Sequence, residues 1–143
     1  MDIGSLRRPG EERPVVGTVY RTTNAWERLR GLLGRAPLGH DEGLLIEPCG
    51  SIHTFLMRYP IDVVYLTRGM HVLEVVEALP AWRMSMCFGA GRTLELAAGE
   101  AARRDDAAAR AELGGRPAEG GIGRAAGEEG FDAVARSPSS RHR

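Results

Sequence analysis

Lysine and glutamine are both missing from this chain of 143 residues. Its basic residues, histidine aside, are all arginine. The accompanying wealth of Ala, Gly and Arg looks like coding bias, so no function is drawn from it. Net charge is missing too. The 19 Lys+Arg and 19 Asp+Glu cancel, which removes the electrostatic footprint expected of a partner for nucleic acid or an acidic membrane surface. No apolar run approaches the length of a membrane span. The opening MDIGSLRRPGEERP is polar and lacks the apolar segment of a secretory signal. The expected compartment is therefore the cytoplasm, with neither nucleic acid nor membrane as partner. Cysteine is scarce. Cys49 and Cys87 cannot make a disulfide framework, and cytosolic thiols stay reduced. There is no C-x-x-C and no H-x3-H, so no metal and no cofactor are expected.

What is present suffices for one core. A hydrophobic content of 43% is ordinary for a globular chain of this length. The densest apolar run is CGSIHTFLMRYPIDVVYL, Cys49 to Leu66, and it also carries a Cys, a His, a Thr, an Arg and an Asp. Before it, residues 1–14 read as a flexible arm. Val15 to Thr23 is rich in β-branched residues and predicts a strand. Asn24 and Glu27 have capping-box spacing and predict a short amphipathic helix carrying Trp26, Leu29, Leu32 and Leu33, stopped by Gly34 and Pro37. Gly31 inside that helix implies a close neighbour. Trp26 and Phe55 are assigned to the core.

Gly43 to Glu47 predicts a buried strand. Ile52 to Met57 and Ile61 to Leu66 suit extended chain, parted by Pro60. Thr67 to Met70 predicts a hairpin turn with Gly69 at the positive-φ position, and His71 to Leu79 the return strand. An irregular segment opens at Pro80, and Thr93 to Leu96 predicts the last strand. Beyond Gly99 little remains to bury. Residues 101–143 are read as a largely disordered tail, with at most a helix in Ala101 to Leu113. The compact domain is then residues 15–100.

Several of these pieces together resemble the domain of unknown function 192 family of bacteria and archaea. They are RLRGLLGR (Arg28 to Arg35), EGLLIEPCGSIHTFLMRYPIDVVYL (Glu42 to Leu66), the P-x-W-R piece (Pro80 to Arg83) and LELAAG (Leu94 to Gly99). The resemblance implies a mainly β domain, similar to a small jelly-roll or barrel, with one or two short helices. It implies no activity. The family pattern continues after LELAAG with a second helix and a closing strand, and no such strand is legible here.

The polar residues of the central stretch admit two kinds of reading. His53 could act as acid, base or ligand with Asp62 orienting it, or both could be satisfied core groups. Cys49 and His53, spaced C-x3-H, could make a thiolate nucleophile, or half of a zinc site with His71 or Cys87; neither reading has supporting spacing, and a lone Cys is commonly a small buried residue. Arg58 and Arg83 each neighbour an aromatic residue and suit recognition of carboxylate or phosphate, unless Arg58 merely pairs Asp62 or Glu47. The leading reading is a non-catalytic binding module for an anionic small ligand or a protein or peptide partner, its site lined by His53, Thr54, Arg58, Asp62 and Arg83. The alternatives are a small hydrolase-like enzyme using Cys49 or His53, and a purely structural accessory domain. On the first reading Cys49→Ser leaves the fold intact. A thiol reagent at neutral pH then modifies Cys49 no faster than Cys87; fast, selective reaction at Cys49 refutes this.

Overall fold

The computed structural model describes residues 1–105 and 132–134. In chain order its elements are β1 (Asp2–Arg7), β2 (Val16–Arg21), α1 (Ala25–Arg30), β3 (Glu42–Ile46), β4 (Ser51–His53), β5 (Ile61–Leu66), β6 (Val72–Leu79), β7 (Met84–Met86), β8 (Arg92–Ala97), α2 (residues 100–105) and β9 (Asp132–Val134). One 7-stranded sheet has the order β6-β5-β8-β3-β2-β1-β9, and β4 and β7 form a separate two-stranded ribbon. The domain is mainly β with two short helices. The sheet is mixed, because β2 runs parallel to β3 and β1 parallel to β9. It does not close into a barrel: β6 and β9 end it on opposite sides.

The sheet forms where apolar residues crowd. Every residue of β5, IDVVYL, is buried, as befits a strand covered on both faces. The period of two then sorts its side chains. Val63 and Tyr65 join Leu44, Ile46, Ile52, Met57 and Leu32 on one face, while Val64 and Leu66 join Leu45, Leu94, Leu96, Val16, Val19 and Leu6 on the other.

Several expectations need correction. Residues 1–14 are not a free arm. β1 pairs antiparallel with β2, Ile3 opposite Tyr20, and Leu6 enters the core. DIGSLR has weak strand propensity, so the neighbouring edge specifies this strand, not its composition. The described tail is also ordered. α2 is anchored by Glu100 and Arg104, and β9 lies against β1; the remaining residues assigned to a disordered tail lie outside the described ones.

Trp26 is 70% exposed and Phe55 37% exposed, so neither is core. Asn24 caps α1 as expected, accepting from Glu27 N at 2.9 Å, but Glu27 returns its bond to Thr23 N at 2.7 Å, one residue further back. That bond, first, holds the Glu27 carboxyl down at about 2. The helix then stops at Arg30, earlier than expected. Gly31 turns the chain with φ 50°, so that Leu32 is the residue that enters the core. In the 67–70 turn the positive φ falls on Met70, not Gly69, because the Met70 side chain is drawn into the core.

Asp62 holds three elements together. Its side chain is wholly buried on β5. Oδ1 accepts from Ala78 N at 2.8 Å and Oδ2 from Ala101 N at 2.9 Å. The first bond supports β6 where its register against β5 shifts and Ala78 adopts φ 48°. The second ties down the start of α2. Asp62→Ala leaves both amides without a partner and is expected to cost at least about 2 kcal/mol. Thr67→Ala, which loses one bond from His71 N, should cost about 1 kcal/mol or less. Equal urea midpoints for the two variants would contradict this.

Candidate functional site

The five residues singled out from the sequence part into two groups. Asp62 faces Ala78 and Ala101, so it orients neither His53 nor Arg58. Glu47 is engaged by Arg92 and Arg21. Arg58 is exposed and makes no hydrogen bond or ion pair with the described residues.

His53, Thr54 and Arg83 do come together, at one end of the β4–β7 ribbon. Thr54 is wholly buried. Its Oγ1 donates to Pro80 O at 2.6 Å and accepts from Arg83 N at 2.9 Å. Its backbone N–H donates to Arg83 O at 2.8 Å, and its carbonyl accepts from Trp82 N at 2.9 Å and Met57 N at 3.2 Å. Thr54 therefore cannot touch a ligand; it clamps the loop after β4 to the loop before β7.

Both clamped loops carry strain. Leu56 has φ 65° and Trp82 φ 62°, left-handed values that bulky side chains avoid. Each is exposed, at 70% and 58%. The register sets Met84 opposite His53 and Met86 opposite Ser51, so these four share the outer face of the ribbon. Ile52 and Ser85 point inward, where Ser85 Oγ accepts from the Tyr65 hydroxyl at 2.8 Å. At the end of the ribbon the His53 ring stacks on Phe55 with centroids 5.2 Å apart, and Phe55 tilts against Trp82 at 6.1 Å. The outer face is thus a shelf of large apolar side chains. Among the described residues the Arg83 guanidinium bonds only Trp82 O, at 3.3 Å, and it is exposed like Arg58.

The ribbon also borders a second feature, which sequence reasoning missed. A groove of about 330 Å³ runs between α1 with its following turn, the chain from β3 to β4, and β8. Glu95 lies among its lining residues, and Oε2 is buried without a hydrogen-bond partner among the described residues. Burial pushes this carboxyl up to about 7. His53 Nδ1, lining the same groove, is also buried and unpartnered. Gly31 is the close neighbour of this site, since a Cβ there would sit 3.9 Å from Glu95 Oε2. The signal was in the sequence. TLEL puts a carboxylate at the centre of a short buried strand, and such a group needs a reason to be there.

The thiol chemistry considered above finds no geometry. Cys49 Sγ turns to Ser51 O at 3.0 Å, and no hydrogen bond joins it to His53. Burial, then Glu74, raises the Cys87 thiol. Among the described residues no group of three or more His, Cys, Asp or Glu is placed to hold a metal ion, and no helix is long and apolar enough to cross a membrane. A broader basin of about 570 Å³ is lined by Arg21, Arg68, Arg92 and Glu47, but Glu47 already pairs two of these arginines.

Residues 8–107 match the family described as DUF192, uncharacterized ACR, and the chain belongs to it. No functionally curated protein matches. Two solved structures share the fold. A putative transcription regulator from Sinorhizobium meliloti 1021 is 18% identical, with a TM-score of 0.59 over 71% of this chain and 82% of that one. A protein of unknown function from Novosphingobium aromaticivorans is 22% identical, with a TM-score of 0.53 over 62% of this chain and 71% of that one.

Glu95 makes stability depend on pH in a direction opposite to most carboxylates. Unfolded, it loses its proton near the ordinary 4.5; folded, near 7. Between these values the folded state holds the extra proton, so stability falls as pH rises through this window. The full effect is about 3 kcal/mol. The urea midpoint of the wild type should therefore fall between about pH 5 and about pH 8 relative to that of Glu95→Gln. Parallel pH profiles for the two proteins would exclude a buried, proton-holding Glu95.

Proposed function

We propose that this protein is a non-catalytic binding module whose outer ribbon face docks a polypeptide segment bearing both large apolar and acidic side chains. The observation that carries this reading is the clamp at Thr54. It holds Leu56 and Trp82 on strained backbone while leaving both side chains in water. Left-handed φ at residues of this size costs about 1–3 kcal/mol each. Such strain, together with large exposed apolar groups, has no benefit for folding. It fits a preorganised surface, which loses little entropy when a partner arrives.

The neighbouring groups fit the same occupant. Phe55, Leu56, Trp82, Met84 and Met86 are all exposed. A contiguous apolar patch of this kind marks an interaction surface, and methionines adapt to varied partner side chains. Arg58 and Arg83 are cations without a carboxylate partner among the described residues, which favours acidic residues in the docked segment. His53 and Phe55 extend the shelf. Thr54 serves it from beneath by holding the loops, whereas Asp62 acts on the other side of the sheet, on β6 and α2. Phosphate or a small carboxylate alone would use the arginines but leave the apolar face in water, which is why a polypeptide fits better than a small anion.

A displayed peptide library tests the reading. Selection on the wild type, with Trp82→Ala/Met84→Ser as the counter-target, should enrich peptides in which Asp or Glu flanks large apolar residues. Their affinity should fall at least about tenfold for Arg58→Ser/Arg83→Ser, the loss of one or two charge-assisted contacts, with melting unchanged because all these side chains are exposed. Enriched peptides that bind both variants as tightly as the wild type overturn the proposal. So does association of the free protein into dimers that Met84→Ser abolishes, since the occupant is then a second copy.

A further inference from the structure

The groove beneath α1 borders the outer shelf at His53 but has its own lining, and it carries a different inference. Its walls are apolar: Leu29 and Leu33 from α1 and the turn after it, Ile46 from β3, Ile52 from β4. At about 330 Å³ it is the size of a small-metabolite pocket and too small for a folded partner. Its polar groups are few and unequal. Among the described residues Glu95 Oε2 has no hydrogen-bond partner, and the whole residue is only 4% exposed. His53 Nδ1 is buried and equally unpartnered. Arg28 lines the groove, half-buried, and no carboxylate pairs it among the described residues.

Buried polar atoms are ordinarily satisfied, because an unmade bond costs the full desolvation of the group. Here two orphaned atoms line one open groove. Packing would have been easier with a leucine at position 95, in the middle of TLEL. A ligand that supplies the missing donor resolves the cost. Arg28 adds a second requirement, a negative group, and the walls add a third, an aliphatic body.

We propose that this groove binds a small aliphatic acid carrying a hydrogen-bond donor on the carbon beside its carboxylate, the donor meeting Glu95 and the carboxylate meeting Arg28. An α-amino acid and an α-hydroxy acid share this chemistry. They differ in the charge of the donor, so they separate in the test. An ammonium donor favours the ionised form of Glu95, whose proton passes to solvent, and is held by the resulting carboxylate. A hydroxyl is held whether Glu95 keeps its proton or not. His53 Nδ1 stands in the same lining and is available to either ligand as a further partner. Arg30 is directed elsewhere, donating to Leu33 O at 3.1 Å.

Amide spectra of the whole protein, titrated with L-leucine, with its α-hydroxy analogue and with isocaproate, decide the matter. Isocaproate has the same body and carboxylate but no donor. The expected result is a saturable shift at Gly31, Ile52 and His53 for leucine or the hydroxy acid, with isocaproate weaker by at least about tenfold. Proton release on binding distinguishes the two donors, being found with the amine alone. Arg28→Gln should weaken the better ligand by a similar factor, and so should Glu95→Gln if that ligand is the amine, whose ammonium needs the carboxylate. Arg28 lies on a helix that buries no residue, so its variant tests the proposal even if position 95 proves intolerant. Absence of saturable shifts with all three probes overturns the proposal, as does equal binding of isocaproate or undiminished binding by Arg28→Gln. None of these outcomes bears on the outer shelf, whose variants leave the groove lining intact.

Discussion

A single buried carboxyl group, that of Asp62, decides how the sheet meets the chain that follows it. Two acceptor atoms in an apolar interior have to find donors, and they find the backbone amides of Ala78 and Ala101. Those amides belong to segments far apart in sequence. Their capture fixes the irregular end of β6 and the beginning of α2 in the same place. From there Arg104 extends the anchorage, donating to Val15 O at 2.9 Å and His40 O at 2.7 Å while pairing with Glu100. Burial alone would raise the Glu100 carboxyl, but hydrogen bonds from His40, Arg104 and Arg103 overcome this and hold it at about 2. A stretch of sequence that looks like the start of a polar tail is thereby part of the domain.

Thr54 works in the same manner on the opposite side of the sheet. It too is a polar residue inside an apolar run, and its bonds go to backbone. The difference lies in what is held. Asp62 secures regular elements, whereas Thr54 secures two loops in conformations their residues would not choose. Rigid support beneath and strained, exposed side chains above is the arrangement expected when binding precision matters more than local stability.

The strands of the core were readable because their cause is local. IDVVYL, GLLIE, HVLEVVEAL and TLEL announce themselves by apolar density and by β-branched residues. β1 and β9 were not readable, because both exist by pairing. A strand edge supplies hydrogen bonds to nearly any sequence laid against it, and DIGSLR and DAV carry little signal of their own. Trp26 and Phe55 misled for a related reason. Large aromatic residues are core on average, but α1 is too short to turn Trp26 inward, and Phe55 follows the bend at Thr54 outward. For the site, composition located the stretch and identified Thr54 and Asp62 as polar residues in apolar surroundings. Their roles could not follow, since the amides they bind lie 16 to 39 residues away. Glu95 was overlooked because a carboxylate flanked by leucines in an alternating strand ordinarily faces water. Only the two-sided burial of β8 removes that exit.

Glu95 also alters the molecule as an electrical object. The formal charges of the chain sum to zero, and in the denatured state every carboxylate contributes its full share at neutral pH. Folded, one of them retains its proton to about 7. The native protein is then more positive than its own unfolded chain under identical conditions. Its native isoelectric point lies above the denatured one, so folded and unfolded forms focus at different positions in a pH gradient. Because the balance is so close to zero, a fraction of one charge is enough to set the sign of the native net charge.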